Sequence, residues 1–285
     1  MIKADNLSYR YPRAAADTLK DISFDIGEGE IFGFLGPSGA GKSTTLRILI
    51  GIAKNYTGSV SLFGSEIKTV KASFYERIGV AFEQPNFYSK FTAEENLLFF
   101  SKLYSSSPSI DHGQLLEELG LEPHRRKRVS EFSKGMKMRL NFCRALLHNP
   151  DILFLDEPTS GLDPTNAKTV KDIILREKRK GKTIVINTHN MQLAEAICDR
   201  VAFVVDGTIP IIESPHHLNL QYGKRVVNIT YRTANRVEEA NFPLADLHSN
   251  IDFQRLLETE SIETIHTQEA SLEDIFIRVT GRRLV

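Results

Sequence analysis

The chain has no tryptophan, only two cysteines and no long hydrophobic run. Neither Cys143 nor Cys198 has a second cysteine or a histidine at metal-ligand spacing, so both are interpreted as buried free thiols in a reducing compartment. The apolar stretches are far shorter than the roughly 18 residues that a membrane span needs. The first residues, Met1 to Asp5, do not have the pattern of a signal peptide, so none is expected. We therefore expect a protein that is soluble by itself.

An excess of charge of one sign is also missing, because 36 Lys and Arg residues balance 36 Asp and Glu residues. A neutral chain has no overall electrostatic attraction to nucleic acid or anionic lipid. Two local basic runs, His124–Arg128 and Lys178–Lys180, are typical of solvated loops or helix ends. With 41% apolar and 25% charged residues, the 285-residue chain has the composition of a globular protein rather than a disordered one.

Short apolar runs alternate with helical patterns along most of the chain. Asp163 followed by Pro164 predicts the start of one helix, and Ser271 predicts the cap of the last one. The runs that predict buried strands are 31–35, 151–155, 183–187 and 200–205. Strands that are apolar on both faces and separated by helices predict an α/β fold with a mostly parallel sheet, covered on both sides. Before them, residues 8–11 and 22–26 alternate with the period of two that is typical of antiparallel strands, which predicts an N-terminal antiparallel β subdomain.

Two further regions complete the predicted organisation. Residues from about 85 to 149 are mainly helical in pattern, with a capping box at Thr92, and predict a helical subdomain inserted between the first two core strands. A change of composition near Ser214 predicts a domain boundary. The predicted domains are a first one over 1–216 and a small C-terminal α/β appendage over 217–285.

Residues 36–43 fit the phosphate-loop pattern G-x-x-x-x-G-K-[ST], with a predicted strand before them and a predicted helix after them. The glycines let successive backbone N–H groups turn toward a polyphosphate, and the helix adds the positive end of its dipole. Lys42 is expected to contact the β- and γ-phosphates, and Ser43 to offer its hydroxyl to Mg²⁺. The predicted ATP-binding residues here are Gly36, Pro37, Ser38, Gly39, Ala40, Gly41, Lys42, Ser43 and Thr44. A purely structural glycine turn is the minor alternative.

Two adjacent acids, Asp156 and Glu157, follow the apolar run 152–155. They fall at the carboxyl edge of the predicted sheet, where ligands of such folds bind. Asp156 is expected to hold Mg²⁺ through its water shell, and Glu157 to orient or deprotonate an attacking water. Alone, two acids after a strand would indicate an exposed loop or a helix cap. Together with a phosphate loop, they predict the catalytic half of a nucleotide site.

Three more motifs decide among the many families that have a phosphate loop. They are Phe132–Met136, Ser160–Asp163 and Thr188–His189, in this order along the chain. They resemble the signature motif, the D-loop and the switch histidine of the ATP-binding subunits of ABC transporters. The resemblance runs from residue 1 to about residue 213, and it implies a phosphate-loop NTPase core that binds and hydrolyses ATP.

The resemblance also implies partners and roles. It implies a head-to-tail dimer of ATPase subunits, homomeric or heteromeric, that sandwiches two ATP molecules. Ser133 and Gly135 would close on the γ-phosphate of the nucleotide held by the partner, and Lys42 and Glu157 would act in catalysis. His189 would either contact the γ-phosphate or hold Glu157. The chain would power a separate transmembrane permease subunit, and would be cytoplasmic and peripheral on the inner face of the cell membrane.

The chain departs from the family pattern in two places. Lys134 and Met136 replace the Gly and the Gln of the commonest signature, Leu-Ser-Gly-Gly-Gln. Lys134 adds charge near a phosphate and adopts positive φ less easily than glycine. The glutamine of the family's Q-loop falls on Glu83, with Gln84 beside it, so either the loop shifts by one residue or a carboxylate serves there. Both residues are therefore candidates for sensing Mg²⁺.

Aromatic and C-terminal features add further expectations. Tyr11 stands where the family places an aromatic residue that stacks on adenine, and Tyr9 is the competing candidate. The apolar groups of Asn86–Phe91 either pack the helical subdomain or form part of a groove for a helix of the transmembrane subunit. Residues 271–281 resemble the C-terminal extension of ATPases that serve exporters of drugs, lipids or polymers.

The leading hypothesis is therefore an ATPase subunit that drives a membrane exporter. The alternative is a soluble ABC-type ATPase that acts on nucleic acid or ribosomes. Such proteins usually carry two cassettes or a long coiled coil, whereas this chain has one phosphate loop, no sustained heptads and no basic footprint. No nucleic-acid partner is expected. A non-catalytic regulatory cassette is a third class, and the presence of Glu157 argues against it.

Overall fold

A computed structural model describes residues 1–105, 111–223, 226–233, 236–245, 247–268 and 270–283. The described chain divides into two compact units, Met1–Glu213 and Ser214–Arg283. Within these described ranges no helix combines the length and the apolar character needed to cross a membrane.

The first unit contains ten strands and seven α-helices within its described residues. Its strands are β1 Ile2–Tyr9, β2 Leu19–Ile26, β3 Ile31–Leu35, β4 Thr57–Leu62, β5 Ser65–Glu66, β6 Ile78–Ala81, β7 Ile152–Asp156, β8 Thr183–Thr188, β9 Arg200–Val205 and β10 Thr208–Glu213. Its helices are α1 Lys42–Leu49, α2 Ala72–Tyr75, α3 Ala93–Ser101, α4 His112–Glu118, α5 Lys134–Leu146, α6 Pro164–Arg179 and α7 Met191–Ile197.

The central sheet has six strands in the order β10-β9-β3-β8-β7-β6. Every pairing in it is parallel except that of β9 with the edge strand β10. The residues of β3, β7 and β8 are all buried, as expected for strands that are covered on both faces. The predicted α/β core with its mostly parallel sheet is confirmed, and β6 and β10 extend it beyond the four predicted strands.

A second sheet, in the order β2-β1-β4-β5, is antiparallel and confirms the predicted N-terminal β subdomain. Its inward-facing side chains join those of the central sheet in one apolar core, in which Phe24, Phe32 and Phe34 pack edge to face or stacked. This core fixes the position of the strand ends from which the functional loops emerge.

The predicted helical subdomain contains α3, α4 and α5. At its start, Thr92 accepts a hydrogen bond from the backbone N–H of Glu95, whose carboxylate accepts one from the N–H of Thr92. The predicted capping box is therefore present. Asp163 caps α6 and Pro164 opens it, again as the sequence predicts.

The second unit contains α8 Pro215–Tyr222, β11 Val226–Arg232, β12 Val237–Pro243, α9 Ile251–Thr259, β13 Ser261–Gln268 and α10 Leu272–Thr280. Its three strands form an antiparallel sheet in the order β12-β11-β13. A small core contains Ile229 and Phe242, against which Phe253 and Leu256 of α9 pack. Ser271 caps α10 as predicted, whereas β12 and α9 were not predicted from the sequence.

Candidate active site

The phosphate loop connects the end of β3 to the start of α1. Gly36 is required here by space, because a Cβ at this position would lie 2.1 Å from the carbonyl oxygen of Val204. Gly41, directly before the helix, has a φ of 116°, which only glycine adopts readily. The sequence pattern thus forms a tight backbone turn whose N–H groups and following helix N-terminus make an anion-binding cradle.

Lys42 is the first residue of α1, and its ammonium group is folded over the loop. Its Nζ donates to the carbonyl oxygens of Gly36 at 2.6 Å and Pro37 at 2.9 Å. Burial lowers the pKa of Lys42, and the nearby carboxylates of Glu157, Asp156 and Glu83 oppose that shift. A buried ammonium held by two carbonyls among three acids is well placed to exchange these contacts for phosphate oxygens.

A cavity of about 340 Å³ opens beside the loop. Its lining is Tyr11, Thr18, Ser38, Gly39, Gly41, Lys42, Ser43, Thr44, Glu83, Asp156 and Glu157. The fold thus brings together residues that lie up to 146 positions apart in the sequence, here Tyr11 and Glu157. Among the other predicted loop residues, Gly36 and Pro37 hold Lys42 through their carbonyls, and Ala40 is buried.

Asp156 is the last residue of β7, and one of its oxygens is anchored. Asn187 Nδ2 donates to Oδ1 at 3.2 Å, and Ser43 Oγ lies 3.5 Å from the same atom. No described residue donates a hydrogen bond to Oδ2 of Asp156. Burial raises the pKa of Asp156, the neighbouring Glu157 and Glu83 add to the rise, and the donors Asn187 and Ser43 oppose it.

These groups fit a Mg²⁺ ion. A serine hydroxyl and a carboxylate with one oxygen free of donors are the hard oxygen ligands that Mg²⁺ prefers. The described part of the chain contains no group of three or more His, Cys, Asp or Glu that could hold a metal by itself. In nucleotide sites Mg²⁺ is typically held by one or two protein groups together with substrate phosphates and water.

Glu157 is held in a fixed position beside Asp156. Its φ is 50°, in the left-handed region that is unusual for a residue with a side chain. Its backbone N–H donates to the carbonyl of Asn187 at 2.9 Å. Thr188 Oγ1 donates to Oε2 at 3.0 Å, while the N–H and the Nδ1 of His189 lie 3.0 and 2.7 Å from Oε1. Backbone strain at a fully hydrogen-bonded acid is typical of a functional site.

The two tyrosine candidates differ in their surroundings. Tyr11 lines the cavity, and its hydroxyl lies 3.1 Å from Thr44 Oγ1. Tyr9 is buried in the apolar core and packs its ring edge to face against Tyr11 at 4.9 Å. The geometry therefore favours Tyr11 as the residue that a nucleotide can reach.

The two Q-loop candidates are both exposed and begin two positions after the end of β6. Both line a second cavity of about 520 Å³ that shares Ser43 and Asp156 with the first. Glu83 also lines the phosphate-loop cavity, whereas the lining of that cavity does not include Gln84. Glu83 is therefore the candidate that lines both cavities beside the predicted metal ligands.

The signature segment lies at the start of α5. Ser133 caps the helix by accepting a hydrogen bond from the N–H of Met136 at 3.2 Å; it is exposed, and Gly135 is partly exposed. Neither belongs to the lining of the phosphate-loop cavity of its own chain. Lys134 is the first helical residue and has no positive φ, so the expected conflict with glycine geometry does not arise. Its Nζ lies 3.5 Å from Ser160 Oγ of the D-loop segment.

Sequence reasoning missed the contact of Asn187 with Asp156, and it named Thr188 only as part of the switch-histidine motif, without its hydrogen bond to Glu157. The available signal was the break in an apolar run, because polar side chains follow directly on the buried residues Ile184–Ile186 of β8. Both cysteines are buried and free, as predicted, and burial raises the pKa of each thiol.

A glycine-rich loop, a lysine, a hydroxyl and two acids at the carboxyl ends of parallel strands define a phosphate-loop nucleoside triphosphatase. A model of the ABC transporter family matches residues 19–160, and a model of the fluoroquinolone efflux ABC transporter C-terminal domain matches residues 225–269. A fluoroquinolones export ATP-binding protein of Mycobacterium tuberculosis is 47% identical over 285 residues, which cover 100% of this chain and 94% of the relative. The Nod factor export ATP-binding protein I of Burkholderia orbicola is 35% identical over 281 residues, which cover 92% of each chain.

Solved structures agree with the sequence relatives. A dimeric ATP-binding cassette in a post-hydrolysis state, bound to ADP and Pi, aligns with a TM-score of 0.68 at 28% identity over 75% of this chain and 99% of its own. The chain belongs to the ATP-binding subunits of ABC transporters. It is an ATPase, and membership of this family implies a transmembrane partner, dimeric cassettes and association with a membrane. The nucleic-acid alternative gains no support from these relatives.

Proposed function

We propose that the chain hydrolyses ATP to power export through a separate transmembrane permease, from the cytoplasmic face of the membrane. The observation that carries the proposal is the arrangement of Glu157. This acid lies beside the phosphate-loop cavity and is fixed by Thr188 and His189. Because its position is set by several hydrogen bonds, it can orient an attacking water without further rearrangement.

The other residues of the cavity divide the remaining roles. Lys42 and the loop N–H groups bind the β- and γ-phosphates, and Tyr11 stacks on the adenine. Ser43 and Asp156 hold Mg²⁺, with Glu83 as the Q-loop residue near it. When bound there, Mg²⁺ neutralises charge that develops on the phosphates. His189 acts through Glu157, whose carboxylate it holds by its Nδ1–H.

The dimer is proposed to be head to tail. Ser133 and Gly135 lie at the N-terminus of the 13-residue α5, are accessible, and do not line their own cavity. A second anion-binding helix start is useful if it faces the triphosphate of the partner subunit. Closure of such a dimer on ATP, and its reopening after hydrolysis, would supply the motion that the permease uses.

A cluster of aromatic side chains forms a candidate surface for the permease. The rings of Tyr88 and Phe91 lie 5.3 Å apart and those of Tyr88 and Phe99 lie 4.8 Å apart. These residues are 49%, 40% and 36% exposed, in the same order Tyr88, Phe91, Phe99. Exposed contiguous aromatic groups indicate a contact surface, and two members of the cluster, Tyr88 and Phe91, lie within seven positions of Gln84 in the chain.

The cargo is proposed to be of the fluoroquinolone class. A relative named for fluoroquinolone export aligns over the whole chain, and the C-terminal family model is named for fluoroquinolone efflux. We propose that residues 217–285 form an accessory domain of this exporter type. The test is the accumulation of a fluorescent fluoroquinolone in cells that express the chain with its permease. Cells that express the active chain should accumulate less of the fluoroquinolone, whereas cells that express Glu157→Gln should not. Unchanged accumulation with the active chain would refute this cargo.

The sandwich mechanism is tested with Glu157→Gln at saturating Mg·ATP. Because hydrolysis stalls while binding persists, we expect ATP-dependent dimers by light scattering and a hydrolysis rate lower by roughly 10²-fold or more. Adding Ser133→Arg to the same variant should return it to monomers. The exposed Glu28→Gln is the matched control and should behave like the unmodified chain. Monomeric Glu157→Gln would count against the mechanism.

A further inference from the structure

Asn187 touches both acids of the site. It lies on β8, in register with Asp156 of the neighbouring parallel strand β7. Its side-chain Nδ2 donates to Asp156 Oδ1 at 3.2 Å, and its backbone carbonyl accepts the N–H of Glu157 at 2.9 Å. A carboxylate only accepts hydrogen bonds, so the amide nitrogen must face Asp156. One residue therefore links the positions of both functional carboxylates.

Packing does not explain an amide at this position. Asn187 is completely buried, and the preceding residues Ile184, Val185 and Ile186 are buried and apolar. Within the described part of the chain its Oδ1 has no hydrogen-bond partner. A buried polar atom without a partner is unfavourable, and a β-branched apolar residue would fit a strand better. A polar side chain at a buried strand position, where an apolar one would be more stable, is expected at functional sites.

The contact leaves the two oxygens of Asp156 in different situations. The donors Asn187 Nδ2 and Ser43 Oγ both lie near Oδ1, at 3.2 and 3.5 Å. No described residue donates to Oδ2. Since the anchored oxygen fixes the carboxylate, Oδ2 is left as the oxygen that is available to a ligand in the cavity that Asp156 lines.

We propose that Asn187 is a positioning residue for the divalent cation, because its hydrogen bond holds the Asp156 carboxylate in the orientation that receives Mg²⁺. The inference rests on the proposed role of Asp156 in holding the ion. Asn187 does not touch the phosphate-loop residues through any hydrogen bond that it makes. Substitution of Asn187 should therefore weaken binding of the metal ion. It should not weaken binding of ATP in the absence of metal.

The test compares Asn187→Val with Asn187→Leu, which both remove the donor and differ in size. Binding of Mn²⁺ to the full chain with ATP is followed by electron paramagnetic resonance. The Mn²⁺ concentration at half-saturation should rise by roughly tenfold or more, as is typical when a group that orients a metal ligand is lost. ATP affinity in EDTA, measured by calorimetry, should stay within about twofold of the unmodified value, because the phosphate cradle is untouched.

Controls separate this inference from the function on which it rests. Val185→Ala, two residues earlier on the same strand and opposite Phe154, should lower stability without changing Mn²⁺ half-saturation. Unchanged Mn²⁺ binding in both Asn187 variants would overturn the proposal, and so would an equal loss of ATP affinity in EDTA. Asp156→Asn is measured in parallel. If it leaves Mn²⁺ binding unchanged, the metal role of Asp156 fails; if it alone weakens binding, only the role of Asn187 fails.

Discussion

The imidazole Nδ1 of His189 lies 2.7 Å from Oε1 of Glu157. Because the carboxylate accepts, Nδ1 carries the proton, and in the neutral tautomer Nε2 is then an acceptor. The side chain of His189 is 62% exposed. In this arrangement the neutral ring holds Glu157, and it could donate to a γ-phosphate through Nε2 only as the imidazolium.

Asparagine and glutamine at position 189 distinguish these two roles. An asparagine amide can replace the donor at Nδ1, whereas a glutamine amide reaches the position of Nε2. We expect His189→Ala to slow ATP hydrolysis by roughly 10²-fold, and His189→Asn to recover most of that loss. Steady-state phosphate release is the measurement. ATP affinity should change little in all three variants, and better recovery by His189→Gln would show that the phosphate contact is the more important one.

The Mg²⁺ dependence of ATPase activity in variants distinguishes the neighbouring residues Glu83 and Gln84. Glu83 lines the phosphate-loop cavity together with Ser43 and Asp156, so its carboxylate can interact with the hydrated ion. Glu83→Ala should raise the Mg²⁺ concentration for half-maximal ATPase activity by roughly 10-fold. Gln84→Ala should change it by less than about twofold. The reverse order would mean that the loop shifts by one residue when nucleotide binds.

Substitution of Tyr11 should weaken ATP binding, whereas substitution of Tyr9 should lower stability. Tyr11→Ala should weaken ATP binding by roughly 5- to 10-fold, because stacking of a base on an aromatic ring contributes about 1 kcal/mol or more, and Tyr11→Phe should bind nearly normally. Tyr9→Ala should lower the free energy of unfolding by roughly 3 kcal/mol, because it opens a cavity in the core. Calorimetric titration and urea unfolding measure the two effects. A larger binding defect in Tyr9→Ala than in Tyr11→Ala would reverse the assignment.

Much of this site could be predicted because its residues form short motifs with fixed local geometry. The glycines of residues 36–43 indicate a tight backbone turn, and an apolar run followed by Asp156 and Glu157 places two acids at the sheet edge. The capping residues Thr92, Asp163 and Ser271 marked helix starts correctly. Local rules work where the physical cause lies within a few residues.

The remainder depends on contacts between distant segments. Nothing local distinguishes Tyr11 from Tyr9, and the choice appears only when β1 packs on the core and buries Tyr9. The role of Asn187 follows only from its register with Asp156 on the neighbouring parallel strand, 31 positions away in the sequence. The edge strand β12 has a weak apolar pattern, since most of its side chains are exposed. Helix α9 does have an amphipathic pattern, and its place in the fold follows from the packing of Phe253 and Leu256 on the small core.

His148, just after α5, offers a test of stability rather than of catalysis. Its ring stacks on Tyr104 with centroids 3.7 Å apart, and its Nε2 lies 2.9 Å from the carbonyl oxygen of Ile78. Because that carbonyl only accepts, Nε2 carries the proton, and within the described chain Nδ1 has no partner for a second one. Burial lowers the pKa of His148, opposed by the Ile78 carbonyl and by Glu76.

A lowered pKa means that below the ordinary histidine value of about 6.5 the unfolded chain binds more protons than the folded one. The free energy of unfolding should therefore fall as the pH decreases from 7.5 through 6.5 toward the folded pKa, and the fall should level off below it. His148→Phe keeps the stack and removes the titration, so its stability should be lower at pH 7.5 but decline less between pH 7.5 and about 5.5. Urea unfolding at several pH values measures this, with the exposed His216→Phe as the control. An equal decline in His148→Phe and the unmodified chain would show that other groups cause the acid sensitivity.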